Sequence, residues 1–159
     1  MYKKLLFLLT IFAFLHLNVN AQEFANSAAE YDSMYAVNIT KSKVNGIYIP
    51  KDIADAHKRI LKLTPSQDIK KFMAQPEAEV CRKLHLGIGR WMIVNWNFYD
   101  GSRLSHHLKE KGLSHPDDMA NFLLRTLHRH MNKAEPMHDE LIAELVDARK
   151  KEVQKMIDR

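Results

Sequence analysis

The eighteen residues from Ser114 to Met131, Ser-His-Pro-Asp-Asp-Met-Ala-Asn-Phe-Leu-Leu-Arg-Thr-Leu-His-Arg-His-Met, decide how the chain folds. Met119, Phe122, Leu123, Thr126, Leu127, His130 and Met131 recur at three- and four-residue intervals. That spacing stacks them on one face of an α-helix, whereas a half-buried strand would alternate. The start of the stretch carries the expected punctuation. Ser114 predicts the cap, Pro116 fits the first turn, and Asp117, three residues after the serine, predicts a capping box. Both acids then face the positive end of the helix.

The same period extends outward on both sides. Upstream, Ile53, Ala56, Ile60, Leu61 and Leu63 share a face opposite Asp55, Lys58, Arg59 and Lys62. Thr64-Pro65-Ser66-Gln67 reads as a capping box that opens a second helix carrying Ile69, Phe72 and Met73. Gln75-Pro76 punctuates, and a third helix runs from about Glu77 towards Trp96, with Gly87 and Gly89 marking a break or a close packing contact. Residues 97–101 form a turn. Ser102 caps a short helix over 103–111 that Gly112 ends. Downstream, residues 136–159 are helical and amphipathic, with Asp139, Glu140 and Glu144 early and Arg149, Lys150, Lys151 and Lys155 late, as the helix dipole favours. The apolar stripe Leu141, Ile142, Leu145, Val146, Val153, Met156 and Ile157 breaks over 149–152. The helix therefore either docks by its first half or protrudes to meet a partner. The expected architecture is all-α: a compact bundle of five to six short helices, a short extended N-terminal segment and a C-terminal amphipathic helix. The helical domain spans 45–133 and the C-terminal helix 134–159. Residues 22–44, polar and weakly periodic, read as a flexible leader; Val44–Pro50, with its Asn-Gly turn, reads as a short extended strand.

The first 21 residues have the three parts of an export signal. Lys3 and Lys4 precede the apolar run Leu5–Leu17, and a polar stretch ends at Ala21, with Val19 two positions before the cut. The run is shorter than the roughly 20 residues that span a bilayer, so cleavage before Gln22 is expected rather than anchoring. The mature chain is then periplasmic or secreted, with no transmembrane span. Loss of Lys3 and Lys4 lowers a formal net charge that starts at only +5, which gives no reason to expect a nucleic-acid partner. Cys81 is the only cysteine, so no intramolecular disulfide forms, and a buried thiol is expected.

Several short patterns lie between residues 49 and 130: Ile49-Pro50-Lys51-Asp52, Gly87-x-Gly89-x-Trp91-x-x-x-Asn95-Trp96, Gly101-Ser102-Arg103-Leu104, His115-Pro116-Asp117-Asp118-Met119 and Arg129-His130. Together they resemble a bacterial family of small exported helical domains classed as a domain of unknown function. Val94 and Phe98 depart from that pattern, and the tail after Lys133 looks like an addition to it. The resemblance implies a compact helical domain and brings no activity with it.

Two constellations are candidates for a site. Trp91, Trp96, Phe98 and Tyr99, with Arg90, Asn95 and Arg103 beside them, offer rings and donors suited to a glycan or peptide. The competing reading places the tryptophans in the core. His115, Asp117 and Asp118 offer an imidazole and two carboxylates for acid–base or ion-binding work, against plain helix capping. His106, His107, His115, His128, His130 and His138, with Asp117 and Asp118, do not make a metal motif: His128 and His130 point about 200° apart on a helix, and H-E-x-x-H is absent. Ser102 suits a cap better than a nucleophile, and a helix-turn-helix reading over 102–131 conflicts with export. No cofactor and no metal is expected. The favoured reading is a non-catalytic, exported binding module of the cell envelope. Its candidate ligand residues are Trp91, Asn95, Trp96, Arg103, His115, Asp117 and Asp118, and its partner is an envelope protein or glycan. The alternative is a small periplasmic hydrolase using the His/Asp cluster. Intact-mass measurement of the exported protein should give a chain that begins at Gln22; retention of residues 1–21 would refute the compartment assignment.

Overall fold

The computed structural model describes residues 27–159, and the export signal expected over residues 1–21 lies outside them. Helix α1 (Ala28–Asn38) precedes a two-stranded hairpin, β1 (Lys43–Val44) and β2 (Ile47–Tyr48). Then follow α2 (Ile53–Leu63), α3 (Ser66–Met73) and α4 (Glu77–Leu84). A π-helical turn (His85–Gly89) joins α4 to α5 (Arg90–Asn95). The chain closes with α6 (Arg103–Glu110), α7 (Pro116–Met131) and α8 (His138–Ile157). The fold is all-α apart from the hairpin. No helix among the described residues is long and apolar enough to cross a membrane.

Helix α7 is the axis of the domain, in contact with α2, α3, α4, α5, α6, α8 and the π turn. It buries Met119, Ala120, Phe122, Leu123, Leu124, Thr126, Leu127 and His128, most of its circumference. The stripe through Asp118, Asn121, Arg125 and Arg129 is left partly open, and His130 near the C-terminal end is exposed. Around it pack Ile53, Ala56 and Ile60 of α2, Phe72 of α3, Val80 and Cys81 of α4, Met92 and Ile93 of α5, and Leu104 and Leu108 of α6. Leu141 and Leu145 anchor the first half of α8, whereas Val153, Met156 and Ile157 remain exposed. Cys81 is buried, and burial, aided by the charge of Glu77, pushes its thiol up to about 12.

Several local expectations are corrected. The segment read as a flexible leader carries α1, capped by Ser27, whose hydroxyl accepts from the Glu30 amide. Its tyrosines dock it: the Tyr31 hydroxyl donates to the Tyr99 carbonyl, and the Tyr35 ring lies over Gly101. A Cβ at residue 101 would sit 2.2 Å from that ring, and the φ of +90° there is one that side chains disfavour. The single extended strand is a hairpin, because Asn45 and Gly46 adopt φ of 48° and 77°, as a type I′ turn requires. Thr64 does not cap α3; its hydroxyl turns back to the Ile60 carbonyl at 2.8 Å and closes α2 instead. Ser102 does cap α6, in a reciprocal box with Ser105.

Trp96 is fully buried, and its indole N–H finds no hydrogen-bond partner among the described residues. Trp91 is 36% exposed and meets it edge to face at 5.7 Å. The two rings should therefore separate in denaturant titrations. Trp96→Ala should cost about 3–5 kcal/mol as a core truncation, and Trp91→Ala about 1 kcal/mol. Equal costs would contradict the burial pattern.

Candidate functional site

The seven residues singled out in the sequence do not form one site. Arg103 lies at the start of α6, where its guanidinium donates to the Ile49 carbonyl and covers the Tyr48 ring at 5.1 Å. It ties the segment entering α2 to α6. Asn95 donates its amide to the Trp91 carbonyl one turn back, at 2.9 Å, and Trp96 is core. Of the aromatic cluster, Trp91 and Tyr99 reach the surface, while Phe98 is buried.

The His/Asp cluster is resolved into ties as well. His115, not Ser114, caps α7: its Nδ1 accepts from the Asp117 amide at 3.3 Å, and Pro116 follows at the first helical position. Asp117 is therefore not the far half of a serine capping box. Its carboxylate accepts from His85 Nε2 at 3.0 Å, which links the π turn to the start of α7. Asp118 accepts two bonds from Arg149, at 2.8 Å from Nη2 and 3.1 Å from Nε. This fork-to-fork pairing is the strongest geometry open to a carboxylate and a guanidinium. It staples α8 to α7 at the point where the apolar stripe of α8 breaks.

His85, Asp117, Asp118 and Arg149 line a cleft of about 580 Å³ between α4, α7 and α8, together with Arg82, Arg125 and Glu144; His115 does not line it. Arg125 bridges Glu77 and Glu144, both at 2.7 Å, and Arg129 reaches Glu77 at 2.8 Å. Burial would raise the Glu77 carboxyl, but bonds from Arg129 and Arg125 outweigh it and hold the group below its ordinary value. Charges so thoroughly paired hold helices together. A general base needs a proton-accepting atom within reach of a substrate. His85 was missed in the sequence; its signal was the pair Gly87 and Gly89. Gly89 matters sterically, because a Cβ there would come within 3.3 Å of His85 Nδ1.

The turns that carry His85 also present the most exposed apolar surface near this cleft. Leu86 is 85% exposed, Trp91 36% and Val94 55%, a ridge along the run from the π turn into α5, and Arg90 of the same run donates to the Tyr99 hydroxyl. Gly87 lies on this ridge with open space where a Cβ would be. Neither crowding nor backbone conformation calls for glycine at that position. A second cleft, of about 740 Å³, opens between α2, the end of α7 and the start of α8. Among the described residues no group of three or more His, Cys, Asp or Glu side chains is placed to hold a metal ion.

A family model described as "Domain of unknown function (DUF6794)" matches residues 49–131, more than half of the chain. The chain belongs to this family. No curated protein matches it, and no solved structure does. The DUF6794 segment begins at the Ile49 carbonyl that Arg103 holds and ends with α7; α1 and α8 lie outside it. Within the segment most of the short patterns have structural duties. Asp52 caps α2, Ser102 caps α6, His115 caps α7, and Arg129 pairs with Glu77. Gly87, Trp91 and His130 are the pattern residues that stand at the surface with none of these duties.

Asp118→Asn and Arg149→Ala should each lower stability by about 1–3 kcal/mol, and the double variant should lose little more than the worse single one. Strict additivity in chemical denaturation would show that the two groups act apart.

Proposed function

We propose that this chain is an exported, non-catalytic binding module of the cell envelope, which meets its partner through the ridge Leu86, Gly87, Trp91 and Val94. One observation carries the reading. A π turn inside the family segment pushes large apolar side chains into water, beside a glycine for which the fold shows no need. Apolar surface exposed in this way marks contact sites. π turns are themselves frequent at functional positions. A bare glycine backbone lets a partner approach closely. Trp91, Tyr99 and Arg90 supply the ring faces and donor that suit a glycan or peptide, as read from the sequence. The export signal over residues 1–21 brings the module to the envelope. The exposed last turns of α8 offer a second contact.

The hydrolase alternative has less support. Asp117, Asp118 and His115 are occupied with His85, Arg149 and the cap of α7, and the aromatic ridge contributes no acid or base.

Leu86→Glu and Val94→Glu should leave the melting temperature within about 2 °C, as surface changes do. In pull-downs from envelope extract both should lose the component that the wild-type mature chain retains. Gly87→Ala should be stabilising by about 0.5–1 kcal/mol and yet weaken retention. Unchanged retention in all three removes the ridge from the site. A hydrolytic turnover abolished by His85→Ala or Asp117→Asn would establish the alternative.

A further inference from the structure

The second cleft has a different chemistry from the ridge and lies elsewhere on the domain. Three elements send imidazoles to it: His57 from α2, His130 from α7 and His138 from α8. Lys58 and Lys133 stand at its rim, and Glu135 is the one carboxylate among the lining residues. Ile53, Leu61 and Pro136 supply apolar wall. Its volume of about 740 Å³ falls within the usual range for small-molecule sites.

His57 forms the buried floor. Thr126 Oγ1 lies 2.8 Å from the Phe122 carbonyl, to which its hydroxyl donates, so it accepts from His57 Nε2 at 3.0 Å. That bond fixes which ring nitrogen carries the proton. The ring lies 5.7 Å from that of His130, and the two planes are tilted by 33°. Burial, with His130 and His138 close by, lowers the His57 imidazole to about 4. A neutral floor under a cationic rim suits a ligand that carries its charge at one end. The start of α8 adds to the rim: Met137 sits at its N-terminus in the left-handed conformation, and no side chain caps the first turn. Asp139 and Glu140 follow in that turn, so the positive end of the helix is partly answered within α8 itself. The main attraction for an anion therefore lies in Lys58 and Lys133.

We infer that this cleft binds a small organic anion, a carboxylate on a short apolar body, with the carboxylate at the lysine and histidine rim and the body against Ile53, Leu61 and Pro136. The inference does not rest on the ridge. His130, which the fold leaves at the surface, gains a role as a rim donor.

The probes are hexanoate, 1-hexanol and inorganic phosphate, titrated into the mature chain while the imidazole resonances are followed by NMR. Hexanoate should shift the signals of His57, His130 and His138 saturably. Hexanol and phosphate should each bind at least about tenfold more weakly, a difference of roughly 1.4 kcal/mol. Lys133→Glu and His130→Ala, both at exposed positions, should weaken hexanoate binding by at least about fivefold, with the melting temperature unchanged. Three results would overturn the assignment: no saturable shift, hexanol or phosphate binding as tightly as hexanoate, or hexanoate affinity indifferent to both substitutions.

Discussion

Glu77 answers two guanidinium groups at once, and the packing of the domain depends on that answer. Helix α7 is buried over most of its circumference, so the stripe through Asp118, Arg125 and Arg129 must find opposite charges on its neighbours. Glu77 at the start of α4 meets Arg125 and Arg129; Arg149 of α8 meets Asp118. A partly buried guanidinium without its carboxylate is costly, more so than the intact pair is beneficial. These ion pairs accordingly act as selectors of arrangement. They define which face of α4 and which turn of α8 lie against α7, whereas the apolar contacts supply most of the free energy.

With α4 set in that way, the turns after it follow. The π turn inserts an extra residue per turn relative to an α-helix, which rotates the following side chains around the axis. His85 is brought to Asp117, and Leu86 is turned out to solvent. The same irregularity thus closes one end of the charged cleft and raises the ridge beside it. Exposing Leu86, Trp91 and Val94 gives up burial that the fold could otherwise use, and a binding surface is the physical purpose that such an expense suggests.

What could be read in the sequence was set by the range of the interaction. The period of α7 and the Ser102 cap depend on residues within four positions of each other, and both were legible. The caps of α3 and α7 were misplaced, because threonine and serine are only competitors for those amides. Thr64 finds the carbonyl of Ile60 more readily, and the imidazole of His115 stands closer to the Asp117 amide than the neighbouring serine's role implied. Helix α1 escaped notice since it docks through two tyrosines and carries no apolar stripe. At the candidate site, the partners of Asp117 and Asp118 lie 32 and 31 residues away, beyond any local pattern. Nor could spacing tell Trp91 from Trp96; neighbours from other elements decide which ring is enclosed.

The sole thiol has a consequence for the life of the molecule. Folded, Cys81 is buried on α4, which packs against α7, and its high proton affinity leaves almost no thiolate. An unfolded chain exposes the same sulfur with ordinary acidity, in surroundings where oxidants are at hand if the chain is exported as proposed. Each excursion out of the native state then competes with capture by a foreign disulfide, which the Cys81 thiolate attacks with release of one half as a thiol, and a chain carrying the adduct cannot bury that position of α4 again. Durability under such conditions is a question of rates: how seldom the domain opens, and how quickly it shuts again, matters more than how far equilibrium favours the folded form.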